Sequence, residues 1–201
     1  MGLKTLVKVG DVTNLSDARY CAGMGVELIG FNLDKTNENY VTPENFKAIT
    51  GWLEGVQFVA EFNTSTIEEI KSSLLEYTVA YIQVNSPQLI DELINSSIQV
   101  KLILKLSTEN PHFTQTIEAY SDKVSYILLE SENDSLPNIN LPGAPIILGT
   151  GIKTENLEHI LTTLHPLGIA LKGSPEIRPG YKDFDELADI LEALETDYDY
   201  E

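Results

Sequence analysis

Ile146-Ile147-Leu148-Gly149-Thr150-Gly151-Ile152, answered some twenty residues on by Gly168-Ile169-Ala170-Leu171-Lys172-Gly173-Ser174, decides how this chain is read. Each is an apolar run that breaks at small residues and is followed by helix-start signals, the pattern of a strand handing over through a turn. Two such units side by side gather backbone N–H groups around one small space, as an α/β barrel does to hold a phosphate. Gly149, Thr150 and Gly151 after the first run, with Lys172, Gly173 and Ser174 after the second, are therefore the candidate phosphate-binding residues. Glycine lets the backbone approach an anion closely, and Lys172 adds a local positive charge within a Debye length of about 8 Å. Pro175 removes one N–H just beyond the second turn.

Working outward, strand-like runs recur at Thr5 to Val12, Val26 to Leu33, Val56 to Phe62, Val79 to Val84, Ile98 to Leu106, Val124 to Glu130, Pro145 to Gly149 and Gly168 to Lys172. Segments between them carry apolar residues at helical spacing, such as Ile67, Ile70 and Leu74, or Leu157, Ile160, Leu161 and Leu164. Thr42 before Pro43, Ser86 before Pro87, and Asp183 three residues ahead of Glu186 read as helix caps. Strict β-α alternation repeated eight times predicts an α/β fold, a (β/α)8 TIM barrel, over residues 1–195, with an acidic tail at 196–201. One unit breaks the rule. Residues 131–144 are rich in Ser, Asn and Pro without helical periodicity, so helix 6 is expected to be missing or replaced by a loop. Apolar wall left bare there invites packing by Leu136, Ile139 and Leu141, or cover by a second copy in a homodimer.

Composition narrows the function. A chain of 201 residues supports one core, and 42% hydrophobic content with no long apolar run excludes a membrane span. The N-terminus has no signal-peptide layout, so a cytoplasmic location is expected. A net charge of −18 argues against nucleic acid or an anionic membrane as partner. A lone Cys21 and scattered histidines at 112, 159 and 165 offer neither an internal disulfide nor a metal cluster, and no cofactor is implied.

Lys8-Val9-Gly10-Asp11-Val12-Thr13-Asn14-Leu15-Ser16-Asp17-Ala18 resembles the opening of the phosphoribosylanthranilate isomerases of tryptophan biosynthesis. The likeness continues through Gly30-Phe31, Tyr40-Val41-Thr42-Pro43-Glu44, Tyr81-Ile82-Gln83, Leu148 to Asn156, and Glu176 to Asp183. The resemblance implies an Amadori rearrangement of a phosphorylated sugar, needing a base on strand one and an acid at the end of strand six. In this chain the place of the family's cysteine base holds Gly10, and that of its aspartate acid holds Glu130. The family's substrate-contacting arginine falls on Asn39, its histidine on Asn85, and a shared glutamine on Gln83. The glycine-rich substrate loop after strand six is absent along with its helix.

Losing a positioned acid or base costs about 10²–10⁴ in rate. The family reaction is therefore expected to be absent or severely impaired, with a phosphate-type ligand pocket kept. The alternatives are an isomerase working through Glu130 and Asp11, and a structural partner docking on the surface left by helix 6. Strand alternation turns Asp11 away from the lumen if Gly10 faces it, unless a bulge re-aims it; otherwise Asp11 supports the turn through Thr13 or Asn14. Glu61, ending strand three, reads as a solvated strand end, Cys21 as a buried small hydrophobe, and Lys105 as a rim residue with Lys101 deeper or outside.

Overall fold

Eight parallel strands form from the apolar runs: β1 Leu6–Gly10, β2 Leu28–Asn32, β3 Gln57–Phe62, β4 Tyr81–Val84, β5 Lys101–Ser107, β6 Tyr126–Glu130, β7 Ile146–Leu148 and β8 Gly168–Lys172. Each pairs with the next, and β1 pairs with β8 from Leu6↔Gly168 to Gly10↔Lys172, closing the barrel. This computed structural model describes residues 2–137, 143–172, 176–178, 181–182 and 185–196.

Helices cover the outside where the caps foretell them. Thr42 and Ser86 start α2 (Pro43–Thr50) and α4 (Pro87–Ile94), each side chain accepting from the N–H three residues on. Asn14 does the same for α1 (Leu15–Gly23), and Thr66 with Glu69 closes a capping box on α3 (Ile67–Ser73). After α5 (Phe113–Tyr120) and β7, the wall is finished by a 3-10 turn Thr154–Asn156, α6 (Leu157–His159) and a π-helical Ile160–Leu164. The short hairpin β9 (Glu176–Arg178) with β10 (Tyr181–Lys182) precedes α7 (Asp185–Leu194). The Asp183 cap lies outside the described residues, as do residues 197–201 of the acidic tail.

Between β6 and β7 no helix occurs among the described residues. The first half of that connection is nevertheless pinned. Glu109 Oε1 accepts from Ser131 Oγ at 2.7 Å and from Glu132 N at 3.0 Å, and Leu136 packs on the main core. Ile139 and Leu141 fall outside the described residues.

Alternation along the strands divides the core in two. One parity packs against the helices; here Phe46 meets Phe31, Phe58 and Tyr77 edge to face, with centroids 5.1, 5.8 and 5.3 Å away. The other parity fills the lumen: Leu28, Val59, Tyr81, Ile103, Leu128 and Ile147 make an apolar layer. Two residues further along several of these strands the lumen turns polar, with Lys8, Glu61, Gln83, Lys105, Glu130 and Lys172 at the carboxyl ends. Lys101 sits at the other end of the lumen, its ammonium 5.2 Å from the Tyr81 ring centroid. No helix among the described residues is long and apolar enough to cross a membrane.

Candidate active site

A cavity of about 210 Å³ opens at the carboxyl ends of the strands. That is small beside the roughly 300–1,000 Å³ of ordinary ligand pockets, so it suits a compact ligand. Its position is where a barrel's strand ends bring functional side chains together.

On the β1–β3 side, the Lys8 ammonium bonds Glu61 Oε1, and Glu61 Oε2 accepts from Asp11 N at 3.1 Å. Lys8 and Glu61 are 2% and 5% exposed, so both charges have been taken out of water. Desolvation of such a pair offsets most or all of its Coulombic gain, and apolar replacements are often as stable. Its presence in a cavity wall is therefore better explained by chemistry than by stability. Two glycines make room for it. A Cβ on Gly10 would stand 2.9 Å from Glu61 Oε1 and 3.1 Å from Lys8 Nζ; one on Gly30 would stand 2.2 Å from Glu61 Oε1.

Across the lumen, Glu130 lies between two lysines, Oε2 at 3.0 Å from Lys105 Nζ and Oε1 at 2.9 Å from Lys172 Nζ. Burial alone would raise the Glu130 pKa, but Lys105 and Lys172 together overrule it and hold the carboxyl below its ordinary value. Burial depresses Lys172 in turn, and Glu130 more than restores it, so its ammonium is kept above the ordinary lysine value. Gln83, 4% exposed, completes the floor; its Oε1 is buried without a hydrogen-bond partner. A buried amide oxygen left unpaired costs free energy that a donor on a ligand would recover.

At the mouth, Gly151 adopts φ +66°, a left-handed conformation suited to glycine, and its N–H donates to Asp134 Oδ1 at 2.6 Å. Thr150, buried, donates at 3.4 Å toward Asp134 Oδ1 and Ser135 O. The glycine turn thus holds a carboxylate supplied by the connection between β6 and β7. Leu136 packs over Gly151, its backbone N 2.8 Å from where a Cβ would be. Gly173 and Ser174 lie outside the described residues.

Of the residues singled out by sequence, Glu130, Gln83, Gly149, Thr150, Lys172 and Asp11 line this cavity. Asp11 needs a correction. Alternation does not reach it, because β1 ends at Gly10 and Asp11 turns with φ +54°, bringing its side chain to the mouth, where Asn32 Nδ2 lies 3.4 Å from Oδ1. Asn14 Oδ1 accepts from Asp17 N and so caps α1 just beyond that turn. Glu61 is likewise buried rather than solvated. Asn39 and Asn85 do not line the cavity: Asn39 sits in the loop after β2, its N–H on Asn37 Oδ1, and Asn85 is exposed after β4. Cys21 is fully buried in α1. Sequence reasoning passed over Lys8 and Asp134 as site residues. The signal for Lys8 was parity, since it lies two positions before Gly10 on the lumen face; nothing local marks Asp134. Among the described residues no group of three His, Cys, Asp or Glu could hold a metal ion.

The family description N-(5'phosphoribosyl)anthranilate (PRA) isomerase matches residues 7–193. N-(5'-phosphoribosyl)anthranilate isomerase of Rippkaea orientalis is 26% identical, the match covering 94% of this chain and 95% of the relative; that of Trichormus variabilis is 24% identical over 94% and 97%. Among solved structures, phosphoribosyl anthranilate isomerase from Thermus thermophilus superposes with a TM-score of 0.77 at 24% identity, covering 94% of this chain and 98% of that one. The Thermotoga maritima enzyme gives 0.75 at 20% identity, with the same coverage. A closed eight-stranded barrel, a cavity at its carboxyl end and a family match over nearly the whole length agree: the chain belongs to the N-(5'-phosphoribosyl)anthranilate isomerase family.

Proposed function

We propose that this barrel binds a compact sugar-phosphate-type ligand at its carboxyl-terminal mouth and performs the family's isomerisation far more slowly than its relatives. The observation that carries this reading is Glu130 between Lys105 and Lys172. The family resemblance asks this position for an acid that protonates the ring oxygen. A general acid must carry its proton at working pH, and two ammonium groups favour the ionised carboxylate instead. Gly10, at the position of the base, has no side chain to take a proton. With acid and base both displaced, two factors of about 10²–10⁴ are at stake.

Ligand retention is supported by the Gly149–Gly151 turn, whose N–H already accommodates a carboxylate, and by Lys172 beside it. The test is a direct assay of purified protein with phosphoribosylanthranilate, together with rescue of a tryptophan auxotroph lacking the isomerase. A rate at least about 100-fold below an ordinary relative, without rescue, is expected; turnover within tenfold of one refutes the reading. A homodimer closing over the loop at 131–137 and a cytoplasmic location belong to the same proposal, and sedimentation and cell fractionation test them.

A further inference from the structure

We propose that Glu61 is the catalytic base of this barrel, acting on the carbon-bound proton beside the carbonyl of an open-chain hydroxy aldehyde or hydroxy ketone. This rests on the small-molecule site proposed above and names its chemistry.

Glu61 comes from β3, yet its carboxylate reaches over Gly10 of β1: the Cβ that Gly10 lacks would sit 2.9 Å from Glu61 Oε1 and 3.5 Å from Oε2. The proton acceptor missing from one strand is thus supplied, in the same space, by a side chain two strands away. Gly30, on the intervening strand, leaves the gap through which the side chain passes. Lys8 and the Asp11 N–H fix both oxygens, so the carboxylate is oriented before a ligand arrives. The unpartnered Gln83 Oε1, also in the cavity wall, is an acceptor for a substrate hydroxyl.

The substrate class follows from what was not replaced. A cyclic aminosugar needs an acid to open its ring, and Glu130 is held ionised by its two lysines. An acyclic substrate needs no such acid. Its isomerisation begins when Glu61 takes the proton from the hydroxyl-bearing carbon. The C–H electron pair forms the C=C bond of an enediolate, and the former carbonyl oxygen becomes an alkoxide in a cavity lined by Lys8, Lys105 and Lys172. The hydroxyl proton of the neighbouring carbon passes to that oxygen, and Glu61 returns its proton to the former carbonyl carbon. No atom is gained or lost, and no oxidant or reductant is required. The lysines at the cavity would stabilise the enediolate, which carries negative charge only in the course of the reaction.

Ribulose 5-phosphate is a suitable probe, because phosphorylation of its terminal oxygen prevents furanose closure. Exchange of its proton beside the carbonyl with deuterated solvent and its conversion to the aldose are followed by proton NMR, on wild type, Glu61→Gln and Gly30→Ala. Gly30→Ala puts a Cβ 2.2 Å from Glu61 Oε1 and displaces the carboxylate without changing its chemistry. Since Glu61→Gln leaves Lys8 buried without its anion, the paired Lys8→Met/Glu61→Gln variant is measured beside it. Exchange or conversion catalysed by wild type and reduced about 100-fold or more in all three variants, with circular dichroism unchanged in at least one, is the expected result. Exchange and conversion to the aldose both at the protein-free rate in wild type, or both undiminished in a folded variant lacking Glu61, overturn the proposal. Fast turnover of phosphoribosylanthranilate by wild type would refute the impaired-isomerase reading, while its loss in Glu61→Gln would still support the base.

Discussion

Gly151 N donates to Asp134 Oδ1 at 2.6 Å, so the turn at the mouth of the barrel holds an anion tethered to its own chain. An incoming phosphate that used this N–H would have to displace a carboxylate. Asp134 is exposed, so the competition is screened and is worth about 1 kcal/mol rather than the full value of a charge-assisted hydrogen bond. Asp134→Ala is therefore expected to bind inorganic phosphate and ribose 5-phosphate roughly fivefold more tightly by calorimetry. Lys172→Glu and Gly173→Val should weaken both. Equal affinity in wild type and Asp134→Ala would mean that the Gly151 N–H takes no part in anion binding.

The start of the same loop carries a pH dependence. Hydrogen bonds from the Ser107 and Ser131 hydroxyls, aided by the Glu132 N–H, pull Glu109 down to about 2. A carboxylate whose folded value is depressed stabilises the fold above the ordinary carboxylate range, and that contribution disappears as pH falls through the folded value. Carboxyl-carbon NMR should find Glu109 titrating near 2 in wild type and higher in Ser131→Ala. The amide of Glu132 should exchange faster in the variant at neutral pH. An unchanged titration would detach the loop from this anchor.

Gly10→Cys alone will not create a fast isomerase. The new Cβ meets Glu61 Oε1 at 2.9 Å and Lys8 Nζ at 3.1 Å, so the thiol competes with the pair already there. Phosphoribosylanthranilate turnover by this variant is expected at or below the wild-type level. A gain of about 100-fold, the scale of one positioned base, would show that only the missing cysteine limits the site.

Phe46, 3% exposed among Phe31, Phe58 and Tyr77, fastens α2 to β2 and β3. Phe46→Ala should lower unfolding free energy by about 3–5 kcal/mol in urea titrations, with the cavity left behind accounting for the upper part of that range. A loss under about 1 kcal/mol would mean that the aromatic cluster repacks.

Much of the architecture is local and was therefore legible in the sequence. Strand runs ending at Glu130 and Lys172, capping side chains at Thr42 and Ser86, and the aperiodic Ser-, Asn- and Pro-rich segment after Glu130 specify a barrel with no helix between β6 and β7 among the described residues by short-range pattern alone. Position at the end of a strand run likewise marked Glu130 and Lys172 as candidates. The pairing of Glu61 with Lys8 required the closed barrel, since the two residues are 53 positions apart and meet only because β2 lets a side chain cross above Gly30. The placement of Asp11 depended on where β1 ends, one residue too early for alternation to describe it. Asp134 reaches Gly151 through an irregular loop whose path no periodicity encodes. Periodicity determines which way a side chain faces; which partner it meets there is set by the register and reach of distant strands, and in this protein those decided the charges of the site.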